Sequence, residues 1–384
     1  MAIFDHPTYV LAILCLLILF AEWLVNHTAL RHLSSALLVI VLGAIAANLG
    51  VIPSASDQFS LYGGIFTYLA PLSIFYLLLE VNLANLKQAG LPMLLMFVVG
   101  SLGTVLGVLL GMGAISGSEV FGERYAALGG MFTGTYTGGS VNFNAIALHY
   151  DVMTDGVLYA GSVAVDNILT ALWMVASILL PRLLQAWLPR KSYSASTETA
   201  VVTQSEEASI KPAGLALLVG LGVAVIWISD ILTEGLGSLG INIPSILILT
   251  TIALILAQIP NISKLAGTRM LGMFCIYLFL VVIGAYCELA AMSKMGEIAI
   301  YLMIFVLILA LTHALTIYGI GALLKLDWSL ISVASQANIG GSSTAIALAK
   351  SLERPNLMLP AILVGSFGNG LGTYLGFLVA EQLL

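Results

Sequence analysis

Two stretches of the chain place small and polar residues in the middle of otherwise apolar runs. One, residues 126–149, carries Thr137, Gly138, Gly139 and Ser140, followed by Asn142 and Asn144. The other, residues 328–350, carries Gln336 and Asn338, then Gly340, Gly341, Ser342, Ser343 and Thr344. A glycine pair lets a helix break and lets another backbone or a ligand come close. The N–H groups that begin a helix after such a break suit an anionic group, and the amide and hydroxyl side chains around it can complete a site. Small residues can also serve only to pack helices tightly. Two matching copies, each flanked by Asn, Gln, Ser or Thr, favour the binding role, and these residues form the candidate substrate site.

A lone carboxylate is the third feature. Asp166 lies ten residues after Gly156, about 15 Å along a helix and so near the middle of a bilayer. An ionised carboxylate is costly there unless it is paired, hydrated or protonated. No Lys or Arg falls at comparable depth, so the expected partner is a bound sodium ion or a proton. Asn167, and Asn369 in the corresponding helix of the second half, add oxygen ligands suited to a hard cation. His313 is placed to relay protons, the plain alternative being a histidine satisfied by a neighbouring helix. Glu22 and Glu80 read as snorkelling near an interface, and Trp23, Trp187 and Trp328 as interfacial anchors.

Other chemistries find little support. The five histidines are scattered and HExxH is absent, so neither a transition-metal site nor a metalloprotease is expected. Cys15, Cys275 and Cys287 sit in or beside apolar segments and read as packing residues. An intramembrane aspartyl protease needs two membrane aspartates, and only Asp166 qualifies. A Ser140–His313 pair is the remaining enzymatic alternative, without a supporting motif. The expectation is a protein that is not an enzyme, has no cofactor beyond a coupling ion, and does not bind nucleic acid.

The elements that must position these residues are membrane helices. Of 384 residues, 60% are hydrophobic and 8% charged, against about 25% charged in soluble domains. About twelve apolar segments recur along the chain, without the alternation of a β-barrel. The first has no basic leader and no small-residue cleavage site, and reads as a retained helix. The one polar stretch, residues 189–212, divides the chain into a first half, 1–188, and a second, 213–384. GSVNFNAIAL from Gly139 resembles GSSTAIAL from Gly341, and Asp166-Asn167 falls opposite Gly368-Asn369. The two halves are therefore a weak internal repeat.

The positive-inside rule orients them. If the two Gly-Gly segments are re-entrant hairpins and the N-terminus is outside, every Lys and Arg except Arg124 and Lys294 falls inside. Fully crossing broken helices, the rival geometry, distribute these charges less well. Each half then has five spanning helices and one hairpin, and an odd number of crossings makes the halves antiparallel. The expected fold is an all-α polytopic membrane protein of two inverted repeats, with both termini outside and the linker inside. Secondary transporters use this architecture.

Phe132–Ala147 (FTGTYTGGSVNFNAIA), Ala334–Ala349 (ASQANIGGSSTAIALA) and Leu363–Gly376 (LVGSFGNGLGTYLG) resemble the YjcL-like family of bacterial and plastid membrane proteins. The resemblance covers nearly the whole chain. That family is in turn distantly similar to the sodium–glutamate and sodium–citrate symporters. The resemblance implies a homodimer in a bacterial inner membrane, with a scaffold domain and a mobile domain that carries both hairpins in an elevator mechanism. It also implies sodium- or proton-coupled symport of a small anionic solute: an amino acid, a carboxylate or a cell-wall-derived dipeptide. The alternative within transport is a cation/proton exchanger that uses Asp166. Glu80 departs from the basic or neutral residue expected at its position.

Overall fold

The structure, a computed structural model, describes residues 6–28, 35–54, 59–81, 83, 86–191, 193, 210–241, 243–263, 265–287 and 295–384. Most of the polar linker (192 and 194–209) and the charges Arg31, Lys264 and Lys294 lie outside the described residues. The described chain is helical and contains no strand.

The first half runs α1 (Pro7–His27), α2 (Ser35–Asn48), α3 (Ser60–Leu78), α4 (Leu91–Ala114), α5 (Tyr125–Gly138), α6 (Ser140–His149) and α7 (Gly156–Trp187). The second runs α8 (Pro212–Ser238), α9 (Ser245–Ala257), α10 (Thr268–Ala285), α11 (Met295–Leu323), α12 (Trp328–Ile339), α13 (Gly341–Ser351) and α14 (Met358–Leu383). Among the described residues eight helices are long and apolar enough to cross a membrane: α1, α3, α4, α7, α8, α10, α11 and α14. The second helix of each half is short, 14 residues in α2 and 13 in α9. At about 1.5 Å per residue each reaches about 20 Å, less than a hydrocarbon core of about 30 Å. The five full spans expected per half are thus four long helices and one short one.

The two Gly-Gly segments turn back on themselves. A β-carbon on Gly130 would lie 3.2 Å from Ile146 Cγ2, and the Phe132 and Phe143 rings are 5.8 Å apart. In one continuous helix residues 130 and 146 would be separated by about 24 Å. Likewise Gln336 Nε2 donates to Thr344 Oγ1 at 3.0 Å, where a straight helix would put them about 12 Å apart. α5–α6 and α12–α13 are helical hairpins.

Glycine decides how these hairpins pack. Gly103, Gly107 and Gly111 of α4 face Thr316, Leu309 and Phe305 of α11; a β-carbon on Gly107 would meet Leu309 O at 2.7 Å. Gly368, Gly372 and Gly376 of α14 lie on Gly138, Gly134 and Gly130 of α5 in the same way. Without a hydrophobic force between helices in lipid, such close backbone approach supplies the contact energy. A second group packs in the same way, with Gly43 of α2 against Val281 of α10, Gly272 of α10 against Leu77 of α3, and Gly222 of α8 against Leu72 and Tyr76 of α3.

Trp23 and Trp187 are 50% and 84% exposed, but Trp328 is 2% exposed. Its indole N–H donates to Leu188 O at 2.9 Å, and the Arg190 guanidinium sits 5.5 Å from its ring. Trp328 therefore pins the second hairpin to the end of α7, and the anchoring expected of it is corrected. Cys275 and Cys287 are buried, Cys15 is partly so, and all three are free thiols.

Candidate functional site

The breaks that form the hairpin tips are glycine conformations. Gly139, between α5 and α6, has φ 115°, and Gly341, at the start of α13, has φ 73°. These values are strained for any residue with a β-carbon. No side chain caps the first N–H groups of α6 or α13, which leaves a partial positive charge at each tip. The tips meet. The β-carbon position of Gly341 is 3.6 Å from Gly138 O, and Asn338 Nδ2 donates to Thr137 O at 3.5 Å.

Both tips open on one cavity of about 750 Å³, a size that suits a small organic solute. Gly138, Gly139, Ser140 and Asn144 line it from the first hairpin, and Gly340, Gly341, Ser342 and Ser343 from the second. Asp166 and Asn167 enter from α7 and Asn369 from α14. The facing wall comes from the other helix group: Ser35 of α2, Leu77 and Glu80 at the end of α3, and Arg269, Met273 and Tyr277 of α10. Glu80 pairs with Arg269 at 3.1 Å, with side chains 36% and 68% exposed, so the cavity reaches the surface here. Burial raises the Glu80 carboxyl above its ordinary range, and Arg269 opposes that rise. Glu80 is thus an ion-pair partner at the mouth and not a solitary snorkelling carboxylate.

Asp166 keeps an oxygen without a partner. Its Oδ1 is enclosed and makes no hydrogen bond, and among the described residues it has no ion pair. The Tyr136 hydroxyl interacts with it but completes no hydrogen bond of ordinary geometry. A buried polar atom without a partner is costly, and an uncompensated carboxylate more so. Asn167 Nδ2 donates one N–H to Val163 O at 2.7 Å, which leaves its Oδ1 and its second N–H available. Asn369 Oδ1 is 3.5 Å from the β-carbon position of Gly139, beside the first tip. Thr135, Thr170 and Ser366 bring further hydroxyls to the same cavity.

Several residues expected at the site lie behind it. Asn142 is buried and saturated: Nδ2 donates to Gly134 O and Gly368 O, each at 3.3 Å, and Oδ1 accepts from Thr373 at 2.7 Å. It staples the first hairpin to α14. Gln336 and Thr344 bond each other across the second hairpin, and Asn338 Nδ2 also donates to Ser101 Oγ at 3.0 Å. Neither these residues nor Thr137 line the cavity. Thr137 Oγ1, Gln336 Oε1 and Asn338 Oδ1 are buried without partners.

His313 is also apart from the cavity. Its Nδ1 is 2.9 Å from Gly100 O, an obligate acceptor, so Nδ1 carries a proton. Nε2 lies 2.9 Å from Ser335 Oγ, which accepts from Trp173 Nε1 at 3.1 Å. A neutral imidazole satisfies every one of these bonds. His313 ties α4, α7, α11 and α12 together, and its two nitrogens are engaged away from Ser140.

Sequence reasoning missed Tyr159, whose hydroxyl donates to Asn144 Oδ1 at the cavity wall. It also missed the pairing of Glu80 with Arg269. Tyr159 falls on the same side of α7 as Asp166 because seven residues make nearly two turns, a relation that could have marked it.

Comparison with known proteins matches residues 9–384 to a family described as "Protein of unknown function (DUF819)". The chain is also 28% identical over 365 residues to the "Uncharacterized membrane protein YjcL" of Bacillus subtilis (strain 168), covering 89% of this chain and 88% of that protein.

Proposed function

The chain belongs to the DUF819 family and is a membrane protein, and from that premise we propose that it is a secondary active transporter coupling a cation to a small anionic solute. One observation carries the reading. Two uncapped helix starts, at Gly139 and Gly341, share a single cavity with the unpaired carboxylate of Asp166. The helix starts offer N–H groups to an anion. Asp166, Asn167 and Asn369 offer oxygens to sodium or a proton. Each ligand compensates the charge of the other, which is how symport is coupled.

In this reading the halves are inverted repeats in a bacterial inner membrane, with both termini outside and the cavity mouth at Arg269 inside. The group built on α4, α11, α14 and the hairpins is the mobile body of an elevator; the group built on α2, α3, α8 and α10 is the scaffold of a homodimer. The cavity between them is supporting evidence, since an elevator must hold its solute where the two bodies face each other.

The test is the thermal stability of the purified protein in sodium chloride and in choline chloride, for wild type and Asp166→Asn, followed by sodium-gradient uptake in proteoliposomes. A ligand that binds only the folded state raises the melting temperature with its concentration. Sodium is expected to stabilise the wild type. Asp166→Asn, relieved of an uncompensated charge, should be at least as stable without sodium and should ignore it. Sodium indifference in the wild type removes the coupling ion. Sodium/proton exchange without any organic solute would favour a cation/proton exchanger instead.

A further inference from the structure

The transport reading leaves open which chemical group the first hairpin takes, and a hydrogen bond in its wall bears on that choice. Asn144, on α6, is 3% exposed, and Tyr159, on α7, is 1% exposed; both line the cavity. An asparagine amide can present either its oxygen or its nitrogen, and its neighbours decide which. Here the Tyr159 hydroxyl donates to Asn144 Oδ1. With the amide reversed, Nδ2 would donate to the phenol oxygen and the phenol proton would face no acceptor, since that hydroxyl has no other bond among the described residues. Burial would make that loss costly. The amide is thus held with its oxygen toward Tyr159 and its N–H groups toward the cavity. Asn144 Nδ2 makes no bond to the protein among the described residues and is not enclosed.

The surrounding wall has the same character. Ser140 and Asn144 are four residues apart and share one face of α6. The uncapped N–H groups after Gly139 therefore open on the same part of the cavity as the Asn144 amide. An anion gains from the helix start and from these donors together.

We infer that Tyr159 is a positioning residue that fixes Asn144 as a hydrogen-bond donor, and that this subsite takes a carboxylate oxygen of the solute. The inference rests on the transport reading, so the test separates solute from ion.

The full-length protein in sodium chloride is titrated with succinate, L-glutamate and citrate, and with uncharged succinamide, with melting temperature as the readout. At least one carboxylate should stabilise the wild type, and succinamide should not. Tyr159→Phe should weaken that carboxylate about tenfold to a hundredfold, the loss expected for a hydrogen bond to a charged group, while the sodium response persists. Asn144→Asp keeps the shape and can still accept from Tyr159, but replaces the donor with a negative charge; it should abolish carboxylate stabilisation. Wild-type carboxylate affinity in Asn144→Asp, or in a folded Tyr159→Phe, overturns the inference. So does a wild type that responds to sodium and to none of the carboxylates. Loss of the sodium response in the wild type would instead sink the transport reading.

Discussion

Gly138 of the first hairpin rests backbone on backbone against Gly368 of α14: a β-carbon on Gly138 would lie 1.9 Å from the Gly368 carbonyl carbon. This contact brings Asn369, the next residue, over the Gly139 tip. The tip and the Asn369 side chain from the far end of the chain are therefore placed by the same pair of glycines.

Substitution at this contact has a sharp expected outcome. Gly138→Ala should cost about 1–3 kcal/mol or more, because a packed backbone must move. Gly63→Ala, on α3 with nothing within 4 Å of its β-carbon position, should be neutral or stabilising by up to about 1 kcal/mol, since helix interiors favour alanine. Melting temperatures of the two variants in one detergent provide the comparison, and an equal response at both positions would contradict the packing described.

The His313 network predicts coupling and not only loss. Ser335→Ala removes the acceptor of Trp173 Nε1 and the partner of His313 Nε2, at about 1–3 kcal/mol for a buried group left unpaired. Residues of one network are non-additive by about 0.5–3 kcal/mol. The His313→Ala, Ser335→Ala double-mutant cycle should show that coupling in unfolding free energy, whereas strict additivity would mean that the bonds contribute nothing jointly.

The base of the second hairpin is closed by an ion pair. Arg354 and Asp327, with side chains 17% and 8% exposed, meet at 2.7 Å. Asp327 also caps α12 through Ser329 N at 2.9 Å and accepts from Tyr193 N at 2.7 Å. Asp327→Asn leaves Arg354 without its counter-charge and should cost about 2–4 kcal/mol. It should also free the chain around Tyr193, so limited proteolysis should cut near Arg190 and Lys191 faster than in the wild type. Unchanged cleavage there would show that the pair does not hold the chain at Tyr193.

Much of the fold was legible because lipid imposes one rule, the internal satisfaction of every backbone group. Long apolar runs must then be helices, and Gly-Gly-Ser in such a run must be a break. The two matching breaks and Asp166 are visible in the sequence itself. The short second helix of each half was less legible, since apolar residues such as Leu49 and Val51 continue beyond the end of α2 at Asn48 and hydrophobicity does not mark where a helix stops.

The site itself divides along a finer line. Asn142 and Asn144 are two residues apart and chemically identical, yet one is a staple against Thr373 and the other faces the cavity. Two residues turn a helix by about 200°, so they must point in nearly opposite directions. Nothing in the sequence of an apolar hairpin says which direction is solvent and which is core, because lipid-facing and protein-facing residues are alike there. His313 and Trp328 illustrate the same limit. The sequence by itself determined that this is a helical membrane protein with two glycine-broken segments and a carboxylate, Asp166, within a long apolar run. Only tertiary packing, through backbone contacts at glycines such as Gly138 and Gly368, decided which polar side chains hold the fold and which are left free for a ligand.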